Sequence, residues 1–123
     1  MLTTVREICL GLAEVTEKLS HGAPTFFVKR SGPRAARLTT VAFVMFHDDH
    51  HGDGRLAVWC AAAPGAQEEL VAEDPEIFFR PPYVGHRGWV GVNLDRGLEP
   101  EVLREILTDA WRCVAPKRLL IEG

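Results

Sequence analysis

The sequence predicts an α+β domain in which helices from both ends of the chain back one face of an antiparallel sheet. Apolar residues recur at helical spacing near each end of the chain, and apolar β-branched and aromatic runs lie between them. Hairpin-type connections rich in turn residues join those runs. Because 123 residues is the usual size of one domain, we expect a single domain over residues 1–123.

The first helix is predicted to begin at Thr4. Thr4 and Glu7 have the spacing of a capping box, in which each side chain accepts a hydrogen bond from the other residue's amide. Val5, Ile8 and Leu12 then fall on one face of the helix. That apolar face needs a partner layer.

Four segments have the composition or the alternation of strands, and their sequences are TFFV (25–28), VAFVMF (41–46), LAVWC (56–60) and GWVGVNL (88–94). The turn dipeptide Asp53-Gly54 favours a hairpin between the second and third segments. In the last segment Val90 and Val92 share the core side with Leu94. We therefore expect Trp89 to face away from the core.

Two further helices are predicted. Residues 66–73 form a short helix that ends before Pro75, and a long amphipathic helix begins at Pro100 and stops before Pro116. Its apolar stripe consists of Val102, Leu103, Ile106, Leu107, Ala110, Trp111 and Val114. We expect residues 119–123 to form a loose tail.

Composition narrows the class of protein. Apolar residues make up 46% of the chain and charged residues 25%, which is typical of a folded globular protein. No apolar run approaches the ~20 residues that cross a bilayer, and the start lacks a secretory signal, so we expect a cytoplasmic protein without a membrane partner. The odd number of cysteines indicates buried thiols in a reducing compartment, and their spacing does not fit a zinc site. These thiols are Cys9, Cys60 and Cys113.

Three segments together resemble the MmcQ/YjbR family, and the resemblance runs over nearly the whole chain. They read SHGAPTFFV (20–28), HHGDGRL (50–56) and PYVGHRGWV (82–90), and the closing helix follows them. The resemblance implies a CyaY/frataxin-like fold and a DNA-binding role through a double-wing motif. The arginine-rich stretch 31–40 is longer than the family pattern, so no residue role is carried over there.

Charge segregation favours DNA as the partner. Every charged residue between Lys18 and Phe46 is basic, whereas 48–76 holds eight acids and the single base Arg55. Cations beside aromatic side chains suit phosphate contacts and base stacking. The net charge of −3 argues against nucleic acid and for an ordinary solvated surface. The predicted nucleic-acid-binding residues are Lys29, Arg30, Arg34, Arg37, Arg80, His86, Arg87 and Trp89.

An aromatic pocket is the alternative. Ligand pockets are mostly apolar with a few polar groups, so aromatic and histidine side chains on an open sheet face could hold a small planar ligand. The competing interpretation is that Trp59 belongs to the core. The predicted pocket residues are His50, His51, Trp59, Tyr83 and Trp89.

Metal binding and catalysis are less favoured. The loop between the second and third predicted strands supplies possible ligands, but no two histidines have helical i, i+4 spacing and no Cys is near. The competing interpretation is a polar loop in which the Asp and His side chains hydrogen-bond to the loop's own backbone. These residues are His47, Asp48, Asp49, His50, His51 and Asp53.

Ser20 beside His21 is a nucleophile candidate, but adjacency in sequence is not triad geometry, and no nucleophile elbow, phosphate loop or dinucleotide fingerprint is present. We expect a binding protein without enzymatic activity or cofactor, acting as a monomer or weak dimer.

Overall fold

The computed structural model describes residues 1–30 and 39–122. The helices within these residues are α1 (Leu2–Leu10), α2 (Ala66–Glu73), α3 (Pro100–Val114) and α4 (Lys117–Glu122). The strands are β1 (Val15–Ser20), β2 (Ala23–Arg30), β3 (Thr39–Asp48), β4 (Leu56–Cys60), β5 (Phe78–Phe79) and β6 (Val90–Asn93). Single 3₁₀ turns at His50–Gly52 and Gly85–Arg87 precede β4 and β6.

The six strands form one sheet in the order β1-β2-β3-β4-β6-β5, with antiparallel pairing throughout. This confirms the predicted α+β class. The predicted hairpin is also confirmed, because β3 and β4 pair with Val44 opposite Cys60. The sequence pattern does not predict β1, whose residues VTEKLS form an edge strand with little burial and therefore little apolar alternation.

A β-bulge in β3 increases the apolar content of the core. Phe26 of β2 pairs with Val44, but the next residue, Phe27, pairs with Ala42, which leaves Phe43 as the extra residue. Phe43 and Val44 are consecutive, and both are fully buried. The bulge thus breaks the strict alternation that strands otherwise impose on neighbouring side chains.

The helices cover one face of the sheet. α3 packs against β3 and β4, and α1 packs against α3 and β1. The helical stripe of α3 is buried at Leu103, Leu107, Ala110 and Trp111, as predicted. Val102, also predicted in the stripe, is 38% exposed. The Trp111 indole Nε1 also donates a 3.0 Å hydrogen bond to the carbonyl of Ala13, which ties α3 to the segment after α1.

Both predicted ends of the chain need correction. α1 begins at Leu2, because the carbonyl of Met1 accepts the Val5 amide at 3.0 Å, and Thr4 therefore lies inside the helix rather than capping it. The loose tail is also wrong. The Pro116 carbonyl accepts the Leu119 amide at 3.0 Å, α4 forms, and Leu119 is only 6% exposed.

Two side chains differ from expectation in their exposure to solvent. Cys113 is exposed, because it lies two positions, or about 200°, beyond the buried Trp111 on α3. Trp89 is 4% exposed instead of facing solvent. The face of β6 that we expected to be open is covered, since the ring of Phe79 lies directly against Gly91.

No helix in the described parts of the chain combines the length and the apolar character needed to cross a bilayer.

Candidate ligand-binding site

A pocket opens on the sheet face opposite the helices. Cys60 is fully buried near Cys9 of α1, so it faces the helix-covered side of the sheet, and burial together with the Cys9 thiol raises the pKa of the Cys60 thiol. Trp59 precedes Cys60 and so points to the other face, where it pairs with Met45 of β3. The pocket has a volume of about 490 Å³ and is lined by His21, Met45, His47, His50, His51, Trp59, Tyr83 and Val84.

Five aromatic or imidazole rings of this pocket form a connected set of ring contacts. The His47 ring lies 3.7 Å from the Trp59 ring at an angle of 36°. His50 lies edge-on to both, with centroids 4.7 Å from His47 and 4.8 Å from Trp59. His51 follows at 4.1 Å from His50, and Tyr83 lies 6.0 Å from His50 on another side. The three distances to His50 from His47, Trp59 and Tyr83 fall within the range of about 4.5–7 Å that favours aromatic pairs, and the His47–Trp59 and His50–His51 rings lie closer than that.

The innermost rings are neutral. His47 is 7% exposed and Trp59 is 2% exposed. Burial, helped by the neighbouring His50, lowers the pKa of His47 to about 4, although Asp53 opposes this shift. His47 is therefore uncharged at neutral pH. The wall that these two rings form is aromatic and carries no charge.

Two ring nitrogens in this wall lack partners. His47 Nε2 and Trp59 Nε1 are buried and have no hydrogen-bond partner among the described residues. A buried polar group without a partner costs about 1–3 kcal/mol. Such groups are uncommon in native proteins and call for a physical explanation at each site.

Strained backbone surrounds the pocket. Five non-glycine residues in the described ranges have positive φ, and three of them line the pocket: His21 (φ 52°), His51 (φ 50°) and Tyr83 (φ 63°). A non-glycine residue in this region costs about 1–3 kcal/mol and persists only where the surroundings hold it. Such strain clusters at functional sites.

The loop that carries His50 and His51 is held by its own acids. Asp49 Oδ1 accepts the Gly54 amide at 2.7 Å, and Asp53 Oδ1 accepts the Arg55 amide at 2.9 Å. This confirms that the aspartates cap their own loop. Among the described residues, no group of three or more His, Cys, Asp or Glu side chains is arranged to hold a metal ion.

Gln67 of α2 holds the side of the pocket that Tyr83 and Val84 form. Its side chain is 3% exposed, and its Nε2 donates to the carbonyls of Gly85, at 2.9 Å, and Trp89. These bonds anchor the segment that directly follows Tyr83 and Val84. Sequence periodicity does not reveal a buried amide in a helix as short as α2, in which half of the residues are polar.

A second groove continues from the pocket. It has a volume of about 440 Å³, shares His50, His51 and Tyr83 with the pocket, and adds Asp53, Arg55, Phe79, Arg80 and Pro82. The Arg55 guanidinium lies 4.0 Å above the Phe79 ring and donates to Asn93 Oδ1 at 3.1 Å. The two concavities therefore form one continuous surface with an aromatic end and a cationic end.

Four of the five predicted pocket residues lie together, namely His50, His51, Trp59 and Tyr83, and Trp89 is not among the lining residues. Sequence reasoning missed His21 as a pocket residue, because His21 reaches the site only through the unpredicted β1–β2 hairpin. His47 could have been found, since it follows Met45 by two positions and shares its face.

The predicted nucleic-acid-binding residues are less closely grouped. Arg34 and Arg37 lie outside the described residues, and Arg30 ends β2. Lys29, also in β2, pairs with Thr40. Arg80, His86 and Arg87 are exposed, and the Arg87 guanidinium lies 5.2 Å from the ring of the buried Trp89.

The chain is an α+β domain whose antiparallel sheet is covered by helices on one face and carries a pocket on the other. Residues 10–113 match the YjbR family, and the chain belongs to this MmcQ/YjbR family. A similar solved structure is the crystal structure of a Deinococcus radiodurans protein with a DUF419 domain. That protein is 20% identical, the match covers 96% of this chain and 80% of the other, and the TM-score is 0.75. At this identity the likeness supports the fold alone. No curated protein matches the chain.

Proposed function

We propose that this chain is a small-molecule-binding protein whose pocket holds a planar aromatic ligand. The observation that carries the proposal is the convergence of five rings from three separate chain segments on one pocket: His47, His50 and His51, then Trp59, then Tyr83. A planar ligand gains most from such a surface, because stacked and edge-to-face rings contribute about 0.5–1.5 kcal/mol each beyond burial.

Three further features support a ligand here. The volume of about 490 Å³ falls within the range of small-molecule pockets, about 300–1,000 Å³. The positive φ angles of His21, His51 and Tyr83 give the pocket rim a strained backbone. The unpartnered Nε2 of His47 and Nε1 of Trp59 would gain from a ligand atom that hydrogen-bonds to them.

Calorimetric titration with 2-naphthamide, a neutral planar probe, tests the proposal. Tyr83 is 70% exposed, so Tyr83→Ala removes one ring of the pocket with little effect on the core. We expect its dissociation constant to rise about tenfold, since the loss of one aromatic contact is worth about 1.4 kcal/mol. Leu19→Ala is the matched control, because Leu19 is 74% exposed on β1 and does not line the pocket.

The same affinity in Tyr83→Ala and the parent chain would contradict the pocket as the binding site. So would an equal loss in Leu19→Ala, which would indicate non-specific contact with exposed apolar surface.

DNA binding is a second candidate. β2 runs towards, and β6 starts from, the same end of the sheet, with β3 and β4 between them. Pairing of Val44 with Cys60 and of Cys60 with Val90 places the start of β6 level with the middle of β3. Support for this candidate is therefore limited to a shared end of the sheet, where Lys29 and Arg30 end β2 and Arg87 shortly precedes β6. A contact surface would then combine Lys29, Arg30, Arg80, His86 and Arg87, and the predicted Arg34 and Arg37 lie outside the described residues. The burial of Trp89 removes it as a base-stacking residue.

Fluorescence anisotropy with duplex and single-stranded oligonucleotides over a salt series tests this second function. Phosphate contacts predict affinity that falls steeply as salt rises, and a smaller salt slope in the Arg87→Gln variant. Absence of salt-dependent binding at low ionic strength would exclude it.

A further inference from the structure

The groove beside the pocket narrows the chemical class of the ligand. We propose that the ligand is a planar aromatic compound carrying an anionic group, with its ring system in the pocket and its anion beside Arg55 and Arg80. This inference rests on the proposed small-molecule function and adds the charge and orientation of the ligand.

The pocket and the groove are continuous. His50, His51 and Tyr83 line both the pocket and the groove, so a molecule that stacks on these rings extends directly into the groove. The pocket end offers the neutral rings of His47 and Trp59. A charged group placed there would lose its hydration without a counter-charge. The anion of the ligand therefore belongs at the groove end.

Both groove arginines lack a carboxylate partner within the described residues, where the ion pairs are Arg6–Glu17, Asp95–Arg96 and Asp109–Arg112. Arg55 is half-buried and is held by the Phe79 ring and the neutral Asn93 amide. Its charge is thus positioned and not neutralised. A guanidinium in this state binds carboxylate or phosphate with paired, charge-assisted hydrogen bonds.

Arg80 is positioned from the other side. A Cβ on Gly85 would lie 2.8 Å from Arg80 Cγ, so the stem of Arg80 lies across the bare backbone of Gly85. Its Nη1 is 3.5 Å from Gln67 Oε1, the acceptor of the same amide that anchors this segment. Arg80 is exposed, and its head group can adjust to the size of the anion.

The acid in the groove does not cancel these charges. Asp53 also lines it, but its Oδ1 accepts the Arg55 backbone amide at 2.9 Å. Two arginines against one aspartate leave an excess of one positive charge, before any contribution from the histidines. A ligand anion would contact the arginine side chains while Asp53 remains committed to its turn.

The test compares two probes of the same shape. 2-Naphthoate carries a carboxylate at neutral pH, and 2-naphthamide does not. We expect calorimetry to give at least tenfold tighter binding for the naphthoate. Arg80→Gln should remove about tenfold of the naphthoate affinity and leave the naphthamide affinity unchanged, and Arg80→Lys should restore part of the loss. Arg104→Gln is the control, because Arg104 is an exposed arginine on α3, outside both concavities.

Two failures are distinguishable. Binding of naphthamide with no preference for naphthoate, or an equal effect of Arg80→Gln on both probes, would overturn the anionic ligand and leave the aromatic pocket standing. Binding of neither probe would overturn the aromatic pocket and the anionic ligand with it.

Discussion

The two faces of the sheet use buried side chains in different ways. On the helix-covered face, Val44, Val58 and Leu107 pack with no exposure and no polar atom to satisfy. On the opposite face, the buried Trp59 and His47 contact each other, but their ring nitrogens have no hydrogen-bond partner among the described residues. The first arrangement maximises the free energy of unfolding. The second retains the free-energy cost of buried nitrogens without hydrogen bonds, which a hydrophobic core avoids and which binding sites commonly retain.

The largest effect should come from the helix-covered face. Leu107→Ala removes a fully buried side chain from α3 and leaves a cavity, so we expect a loss of about 3–4 kcal/mol in the free energy of unfolding. Val102→Ala on the same helix is the control, because Val102 is 38% exposed and should cost less than about 0.5 kcal/mol. Urea denaturation measures both. Similar values for the two variants would contradict the assignment of the core to this face.

Gly91 tests how tightly the opposite face is packed. A Cβ there would overlap the Phe79 ring, so Gly91→Ala should destabilise the chain by about 1–3 kcal/mol. It should also displace the ring on which Arg55 rests. The cost should shrink when Gly91→Ala is measured in a Phe79→Ala background, which frees the space. An unchanged cost in the double-mutant cycle would show that Phe79 is not what excludes a side chain at position 91.

Acid should weaken the pocket face selectively. Because the pKa of His47 is about 4 in the folded chain and ordinarily 6.5, the unfolded chain binds more protons between these values. The free energy of unfolding is therefore highest above pH ~6.5 and falls as pH drops towards about 4, by on the order of 3 kcal/mol.

His47→Gln should flatten this pH dependence, whereas His86→Gln, at an exposed histidine, should leave it unchanged. Urea unfolding at a series of pH values provides the comparison. The same slope in His47→Gln and in the parent chain would contradict the buried, neutral state of His47.

At Tyr83 the expected change in the free energy of unfolding is small and has the opposite sign. Tyr83→Gly relieves a positive φ of 63° that glycine adopts freely, so stability should rise by up to about 1 kcal/mol. Binding of 2-naphthamide should weaken at the same time, because the ring is gone. A loss of stability would show that Tyr83 contributes more through packing than its conformation costs.

Periodicity predicts the helix-covered face well and the pocket face only in part. The stripe of α3 follows from helical spacing, and β3 and β4 follow from their runs of β-branched and aromatic residues. The pocket depends on tertiary placement. His21 arrives through an edge strand without clear alternation, and Gln67 acts through two backbone carbonyls far along the chain.

Trp89 shows how the pattern misleads. Alternation correctly opposes it to Val90, but it assumes that the second face is open, and Phe79 against Gly91 closes that face. A short strand such as β5, with two residues, gives no periodic pattern from which this cover could be predicted.

The most direct test of the central claim is amide chemical-shift mapping by NMR during titration with 2-naphthoate. Binding between the pocket and the groove predicts shifts concentrated in residues 47–55, at Trp59 and in residues 79–84, with α1 and α3 unchanged. Shifts concentrated on α3, or spread evenly over the described chain, would contradict a ligand site on the open face of the sheet.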